Sequence, residues 1–334
     1  MIIVLKKEIT ASQKDKIESF IRSFDSSPSY WKNNGFDVIG LLEQDLSIWE
    51  NDLKNMDGVE KVIPIKKEYK RVASELPPKI IKYKGVEIGK DTFNVIAGPC
   101  TVKSYEELKE IAISLKKMGI RLLRAGAYKL RTSPYSFQGL GEEGLKIIKR
   151  VCDETGMLSV SEIVSTEDVE IVSKYIDIVV VGTRNMYAYP LLKKIGKINN
   201  PVILKRGFSA TLEEWLLAAE YLAESGNSNI ILCERGIRTF ERYTRNTLDI
   251  SMIPAVKILS NLPIIIDPSH STGRSEMVKS ICFASMAAGA DGLIIEAHCN
   301  PIESIVDSRQ TIDMEILQEI LDQKENLINL WDKK

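Results

Sequence analysis

From residue 93 onward the chain keeps one rhythm. Short apolar, β-branched runs alternate with longer segments of helical period, and polar or glycine-bearing turns separate them. The apolar runs are Phe93–Ala97, Arg121–Ala125, Leu158–Ile163, Ile176–Gly182, Val202–Lys205, Asn229–Cys233, Ile264–Asp267 and Gly292–Glu296. Between them lie segments such as SYEELKEIAISLKKMG and TLEEWLLAAEYLAESG, whose apolar positions recur every three or four residues. Near-continuous apolar strands are expected where a parallel sheet is covered on both faces, and the alternation implies right-handed strand–helix–strand crossovers. Eight such units in about 235 residues predict a closed (β/α)8 barrel over residues 93–334. Asp313–Leu330 is its last covering helix.

The first 70 residues follow a different pattern. Ile2–Leu5 reads as a strand, Ser12–Phe24 as a helix, Ser29–Lys32 and Asp37–Leu42 as strands, Ser47–Met56 as a helix and Val59–Ile63 as a strand. That order, βαββαβ, predicts a ferredoxin-like domain over residues 1–70. Residues 71–92, with Pro77-Pro78 and the segment YKGVEIGK, read as a linker ending in a hairpin that closes the barrel bottom.

Composition narrows the class. A chain of 334 residues accommodates one barrel of roughly 250 residues and a small second unit. The 44% hydrophobic and 27% charged fractions exclude wholesale disorder. Lys plus Arg number 45 and Asp plus Glu 46, so the net charge of −1 argues against nucleic acid as a partner. No apolar run reaches the ~18–20 residues of a membrane span. The N-terminus MIIVLKKEIT lacks the layout of a secretory signal. Five scattered cysteines without a CxxC pair fit a reducing, cytoplasmic setting.

Barrel enzymes carry their chemistry at the C-terminal ends of the strands. Those positions here are Cys100, Arg124, Lys129, Glu162, Arg184, Lys205, Glu234, Arg235, Asp267, His270, Glu296 and His298. Singly, each such residue is more often a solvated or salt-bridged side chain. As a set at nearly every strand end, they require partners or ligands, because a partly desolvated charge is costly alone. Cys100, His270, Glu296 and Asp307 can supply one sulfur, one imidazole and two carboxylates, a mixture suited to Mn, Fe, Co or Zn. The other four cysteines read as small buried hydrophobes. Arg124, Lys129, Arg131, Arg184, Lys205, Arg206 and Arg235 form a cationic set that points to phosphorylated acids. Gly139-Leu-Gly141-Glu-Glu-Gly144 matches GxGxxG, but its strand ends more than ten residues earlier, and Glu142 and Glu143 would repel a pyrophosphate.

Several longer motifs carry a resemblance. AGPC (97–100), RAGAYKLRTSPYSFQGLG (124–141), VGTRN (181–185), LKRGF (204–208), ILCERGIRTFERYTRNTLDIS (231–251), DPSHSTG (267–273), IIEAH (294–298) and DSRQT (307–311) resemble 3-deoxy-D-arabino-heptulosonate 7-phosphate (DAHP) synthases. The branch resembled is the short one, a barrel with a ferredoxin-like unit (type I beta). The resemblance implies condensation of phosphoenolpyruvate with erythrose 4-phosphate, the first step toward aromatic amino acids. It implies one divalent ion held by Cys100, His270, Glu296 and Asp307. Phosphoenolpyruvate would lie on Arg124, Lys129, Arg184, Lys205 and Arg235, and erythrose 4-phosphate on Arg131, Thr132 and Ser133. Lys129 would protonate the developing alkoxide, and Glu162 would orient the water that adds at C2. The first domain would sense tyrosine or phenylalanine, and the assembly would be a homotetramer.

Two departures stand out. KPRTS is here KLRTS, with Leu130 releasing the fixed φ of a proline, and RGGAYK is RAGAYK, with Ala125. The alternative within enzymes is 3-deoxy-D-manno-octulosonate 8-phosphate synthase, whose loop typically reads KANRS and whose acceptor is arabinose 5-phosphate. A catalytically silent, binding-only barrel is the alternative outside enzymes.

Overall fold

The computed structural model describes residues 1–23, 28–33, 35–42, 47–65, 67–131 and 133–330. Two compact units divide at Pro77/Pro78, so residues 71–77 pack with the first unit.

In the first unit, β1 (Ile2–Leu5), α1 (Ala11–Arg22), β2 (Ser29–Asn33), β3 (Phe36–Gly40), α2 (Glu50–Lys54) and β4 (Val59–Ile63) follow in order. They form an antiparallel sheet of order β2-β3-β1-β4, the ferredoxin-like arrangement. Alternate residues of β1, Ile3 and Leu5, join Ile17 and Ile21 of α1 with Ile39, Leu53 and Val62 in one core, as the period of two demands. A capping box starts α1: Thr10 Oγ1 accepts the Gln13 N–H, and Gln13 Oε1 accepts the Thr10 N–H. Phe24, expected within this helix, lies outside the described residues. The helix expected at Ser47–Met56 is shorter, a 3-10 turn at Ser47–Trp49 followed by α2, with no side-chain cap at Trp49 to begin it earlier.

The second unit opens with a hairpin, β5 (Ile80–Tyr83) and β6 (Val86–Gly89). Its two-residue turn, Lys84-Gly85, has both φ positive, which matches the twist of the flanking strands. Eight parallel strands then close a barrel: β7 (Asn94–Gly98), β8 (Leu122–Arg124), β9 (Leu158–Ile163), β10 (Ile178–Val181), β11 (Val202–Lys205), β12 (Ile230–Glu234), β13 (Ile264–Ile266) and β14 (Gly292–Glu296), with β14 pairing back to β7. Strand β10 begins two residues later than its apolar run. The Asp177 carboxylate accepts the N–H of Ser159, and Ser159 Oγ accepts the N–H of Asp177, so side chains occupy that stretch of ladder.

Covering helices are α3 (Tyr105–Lys117), α4 (Glu142–Thr155), α5 (Val169–Tyr175), α6 (Tyr189–Ile195), α7 (Leu212–Glu224), α8 (Met252–Leu259), α10 (Ser275–Ala287), α11 (Met314–Asp322) and α12 (Lys324–Ile328), while the short, wholly buried α9 (Pro268–Thr272) lies in the loop after β13. Gly141-Glu142-Glu143 starts α4, with both acids in its first turn, where the helix dipole favours them.

Inside the barrel, Ile96, Leu122, Val160, Ile178, Val180, Ile203, Ile231, Cys233, Ile265 and Ile294 pack together with Ile81, Val86 and Ile88 of the hairpin. Because side chains alternate along a strand, the next inward position lies two residues further on. Six strands obey one rule there: Leu122 is followed by Arg124, Val160 by Glu162, Ile203 by Lys205, Cys233 by Arg235, Ile265 by Asp267 and Ile294 by Glu296. The apolar fill therefore ends in a layer of ionisable groups.

Candidate active site

That layer and the loops above it bring the thiol and carboxylates together. Donor atoms of Cys100, Glu296 and Asp307 lie within 4.8 Å of one another. His270 adjoins them, its Nε2 3.3 Å from Glu296 Oε1. Each is placed by a local device. Cys100 follows Gly98, where a Cβ would meet the Arg124 carbonyl at 2.1 Å, so only glycine lets these strand ends approach. His270 sits in the short helix α9, capped by Asp267, whose Oδ1 accepts the His270 N–H at 2.9 Å. Asp307 holds φ +58, a left-handed conformation unusual for a residue with a Cβ.

The electrostatics favour ligation at the imidazole and the carboxylates and oppose it at the thiol, which must lose its proton to bind an ion. Burial pushes the His270 imidazole down to about 4, so the ring is neutral. Its Nδ1–H donates to Asp267, with Oδ2 at 2.8 Å, and this leaves the Nε2 lone pair free. Burial, reinforced by Glu296, raises the Cys100 thiol well above its ordinary value. The protonated sulfur donates to Asp307 Oδ2 at 3.3 Å. Burial also works against the Asp307 carboxylate, but Lys129 and Arg245 outweigh it and hold that pKa far down. One sulfur, one imidazole and two carboxylates fit a borderline divalent transition ion.

Three cations ring this group. Lys129 Nζ lies 2.8 Å from Cys100 Sγ and 3.2 Å from Asp307 Oδ2. Arg124 donates to Glu296 Oε1 at 2.9 Å, and Lys205 donates to Asp267 Oδ2 at 2.6 Å. Glu162 lines the same small cavity of about 40 Å³, its carboxylate with no hydrogen bond or ion pair among the described residues. Gly182 makes room for it, since a Cβ there would meet Glu162 Oε1 at 2.0 Å. Arg235 is buried without a carboxylate partner among the described residues. Desolvation lowers its guanidinium to about 10, and Phe208 lies beneath it.

Other expected residues are not gathered here. Arg184 is exposed and donates to the Leu130 carbonyl at 3.4 Å, which ties down the 129–131 loop. Ser133 is exposed and Arg131 half-buried, neither lining the cavity, and Thr132 lies outside the described residues. Arg206 is a correction: one residue out of step with Lys205, it is buried against Glu234, Asp249 and the Ala210 carbonyl. His298 lies elsewhere: its Nδ1 accepts the Asn300 N–H at 2.9 Å, and its buried Nε2 sits 3.2 Å from Glu107 of α3 without a hydrogen bond. Sequence reasoning missed Gln310 and Arg245. Gln310 donates to Glu296 Oε2 at 2.7 Å, and Arg245 donates to Gln310 Oε1 at 2.9 Å and Asp307 Oδ1 at 3.4 Å. Arg245 sits in a loop and Gln310 ends a 3-10 turn at Ser308–Gln310, where no strand parity reports orientation. A roomier cavity of about 1010 Å³ lies at the other end of the barrel, beside Lys257, which pairs with Asp291. No comparable set of donors converges there among the described residues.

Comparison with known proteins follows the same division of the chain. Residues 63–330 match the DAHP synthetase I family and residues 1–67 the DAHP synthase ferredoxin-like domain. A phospho-2-dehydro-3-deoxyheptonate aldolase of Thermotoga maritima is 44% identical over 329 residues, 98% of this chain and 97% of its own. The crystal structure of a Thermotoga maritima DAHP synthase superposes with a TM-score of 0.77 at 43% identity, covering 98% of this chain and 97% of that one. A 2-dehydro-3-deoxyphosphooctonate aldolase of Koribacter versatilis is 28% identical over 261 residues, 72% of this chain and 92% of its own. No helix among the described residues is long and apolar enough to cross a membrane.

Proposed function

The chain belongs to the DAHP synthetase I family, and from that footing we propose that it joins phosphoenolpyruvate to erythrose 4-phosphate with release of phosphate. The observation that carries this reading is the convergence of Cys100, Glu296 and Asp307 on a point that Lys129 also reaches.

In this reading Cys100, His270, Glu296 and Asp307 would hold one divalent ion, which when bound would supply Lewis-acid polarisation of the aldehyde. Arg124, Lys129, Lys205 and Arg235 neutralise the carboxylate and phosphate of phosphoenolpyruvate, with Arg184 steadying the loop beside them. Two anions side by side repel unless cations offset both, and planar guanidinium forks do so bidentately. Arg131, Thr132 and Ser133 take the phosphate of the second substrate. As C3 of phosphoenolpyruvate attacks the aldehyde, the new alkoxide takes a proton from Lys129 Nζ. The neighbouring anions, overcoming burial, keep that ammonium charged. Glu162, unpaired in the cavity, orients the water that adds at C2, after which the C–O bond to phosphate breaks. The first unit senses an aromatic amino acid, tyrosine or phenylalanine, in a cytoplasmic homotetramer.

One assay tests the reading: phosphate release from phosphoenolpyruvate with erythrose 4-phosphate or arabinose 5-phosphate, across Mn, Fe, Co and Zn. Turnover with erythrose 4-phosphate, lost with a chelator and restored by one of these metals, is expected. Preference for arabinose 5-phosphate would overturn it in favour of the octulosonate reaction. Run with tyrosine or phenylalanine, the full chain should be inhibited, and a chain beginning at Pro78 should not.

A further inference from the structure

The cations and the metal donors are bound to each other. Each of the three cations lining the cavity spends its charge on the donor group or on its immediate support. Lys129 is committed to Cys100 and Asp307. Arg124 is committed to Glu296. Lys205 is committed to Asp267, the residue that holds His270 by Nδ1. Asp267 is wholly buried, as is Glu296, and Arg124 and Lys205 are nearly so. Solvent therefore screens these pairs little. The cavity left between them, about 40 Å³, has room for a water molecule or two, not for a phosphorylated acid. To take up an anion, the cations must swing away from the carboxylates. To take up a cation, the carboxylates must give up their partners.

We propose that these three cations hold the place of the divalent ion, so that metal and phosphoenolpyruvate bind with positive coupling, one branch of it running from Lys205 through Asp267 to His270. The proposal rests on the site reading above and goes beyond it. When the ion binds, its two positive charges neutralise Glu296, Asp307 and the sulfur. Arg124 and Lys129 are then attracted less to those groups and are released toward an anion. In the other direction, phosphoenolpyruvate draws Arg124, Lys129 and Lys205 to itself and leaves the donors richer in negative charge. Neither ligand needs to touch the other. By linkage the two effects must be equal in free energy.

The test uses the full chain stripped of metal. Mn2+ is titrated with and without saturating phosphoenolpyruvate, free Mn2+ being read by its electron paramagnetic resonance signal. Phosphoenolpyruvate is then titrated by calorimetry with and without Mn2+. Both affinities should rise by one common factor, within the roughly 5–150-fold range of such couplings. The diagnostic variant is Lys205→Met. Removing the cation leaves Asp267 a stronger acceptor for His270, so Mn2+ affinity in the absence of phosphoenolpyruvate should rise several-fold and the coupling factor should shrink. A merely structural role for Lys205 would lower Mn2+ affinity instead, and that result would overturn the Lys205 branch. If Lys205→Met does not fold, the pair of titrations on the unaltered chain still decides. Independent binding of the two ligands sinks the coupling but leaves the site reading standing. Absence of binding by Mn2+, Fe2+, Co2+ and Zn2+ alike, or Mn2+ binding that survives Cys100→Ala unchanged, sinks both.

Discussion

The two ends of the barrel use the same inward positions for opposite purposes. At the bottom, Ile81 and Ile88 of the hairpin, which face each other across the strands, and Val86 beside them are sealed by Ile96, Leu122 and their neighbours. At the top, two residues further along each strand, the inward side chains are Arg124, Glu162, Lys205, Arg235, Asp267 and Glu296. The lower end is satisfied by contact alone, since apolar surface needs only to be covered. The upper end holds its charges by pairing where it can, Arg124 with Glu296 and Lys205 with Asp267, because a buried charge is costly without an opposite one. It leaves Arg235 and Glu162 without an ionic partner among the described residues. A packed end has no reason to open. A paired end can exchange its partners for ligands of like charge, and so chemistry belongs there.

The sharpest way to break this contrast is to remove one charge at the top. Lys129→Met should lower kcat by ~10^2–10^4-fold, measured as phosphate release at saturating substrates. A rate within tenfold of the unaltered enzyme would remove Lys129 from catalysis. At the bottom the expected pattern is reversed. Ile88→Ala should cost about 2–5 kcal/mol of stability, seen as a lower urea midpoint, with kcat unchanged. A fall in kcat without loss of stability would mean the plug serves the site and not the fold.

The smallest effect concerns a charged clasp at the bottom, Lys84 to Asp177. Burial works against the Asp177 carboxylate, but Lys84 and Ser159 outweigh it and hold its pKa below the usual value. Hydrogen bonding to Asp177 raises that of Lys84. The carboxylate's contribution is therefore present above about pH 4 and lost as pH falls through its lowered value. The ammonium's contribution is present below about pH 10 and lost as pH rises past its raised value. Lys84 is 57% exposed, so solvent screens the pair and the effect stays below ~1 kcal/mol. Lys84→Met should flatten both flanks of the melting temperature against pH by that amount. An unchanged acid flank would show that the clasp contributes nothing.

Much of this contrast was legible in the chain. A position at the C-terminal end of a strand sufficed to single out Cys100, Arg124, Lys129, Glu162, Lys205, Arg235, His270 and Glu296, and the motifs that carry the family resemblance point to the same residues. What failed was parity. Lys205 and Arg206 are equally basic neighbours, yet one reaches Asp267 in the mouth and the other is locked to Glu234 behind the barrel wall. A run of amino acids does not announce which of two adjacent residues faces in until the strand register is fixed. Loop residues are harder still. Gln310 and Arg245 reach Glu296 and Asp307 through irregular backbone, for which sequence offers no period.

By itself, then, the amino-acid order determined the βα rhythm, the ferredoxin-like unit before it and the identity of the reactive groups, because these depend on local periodicity and residue chemistry. Only the closed barrel decided which of those groups meet. Strands far apart in the chain set Cys100 beside Asp307 and Arg124 beside Glu296. Which donor faces which cation is fixed by the register of eight strands at once, a property that no single segment carries.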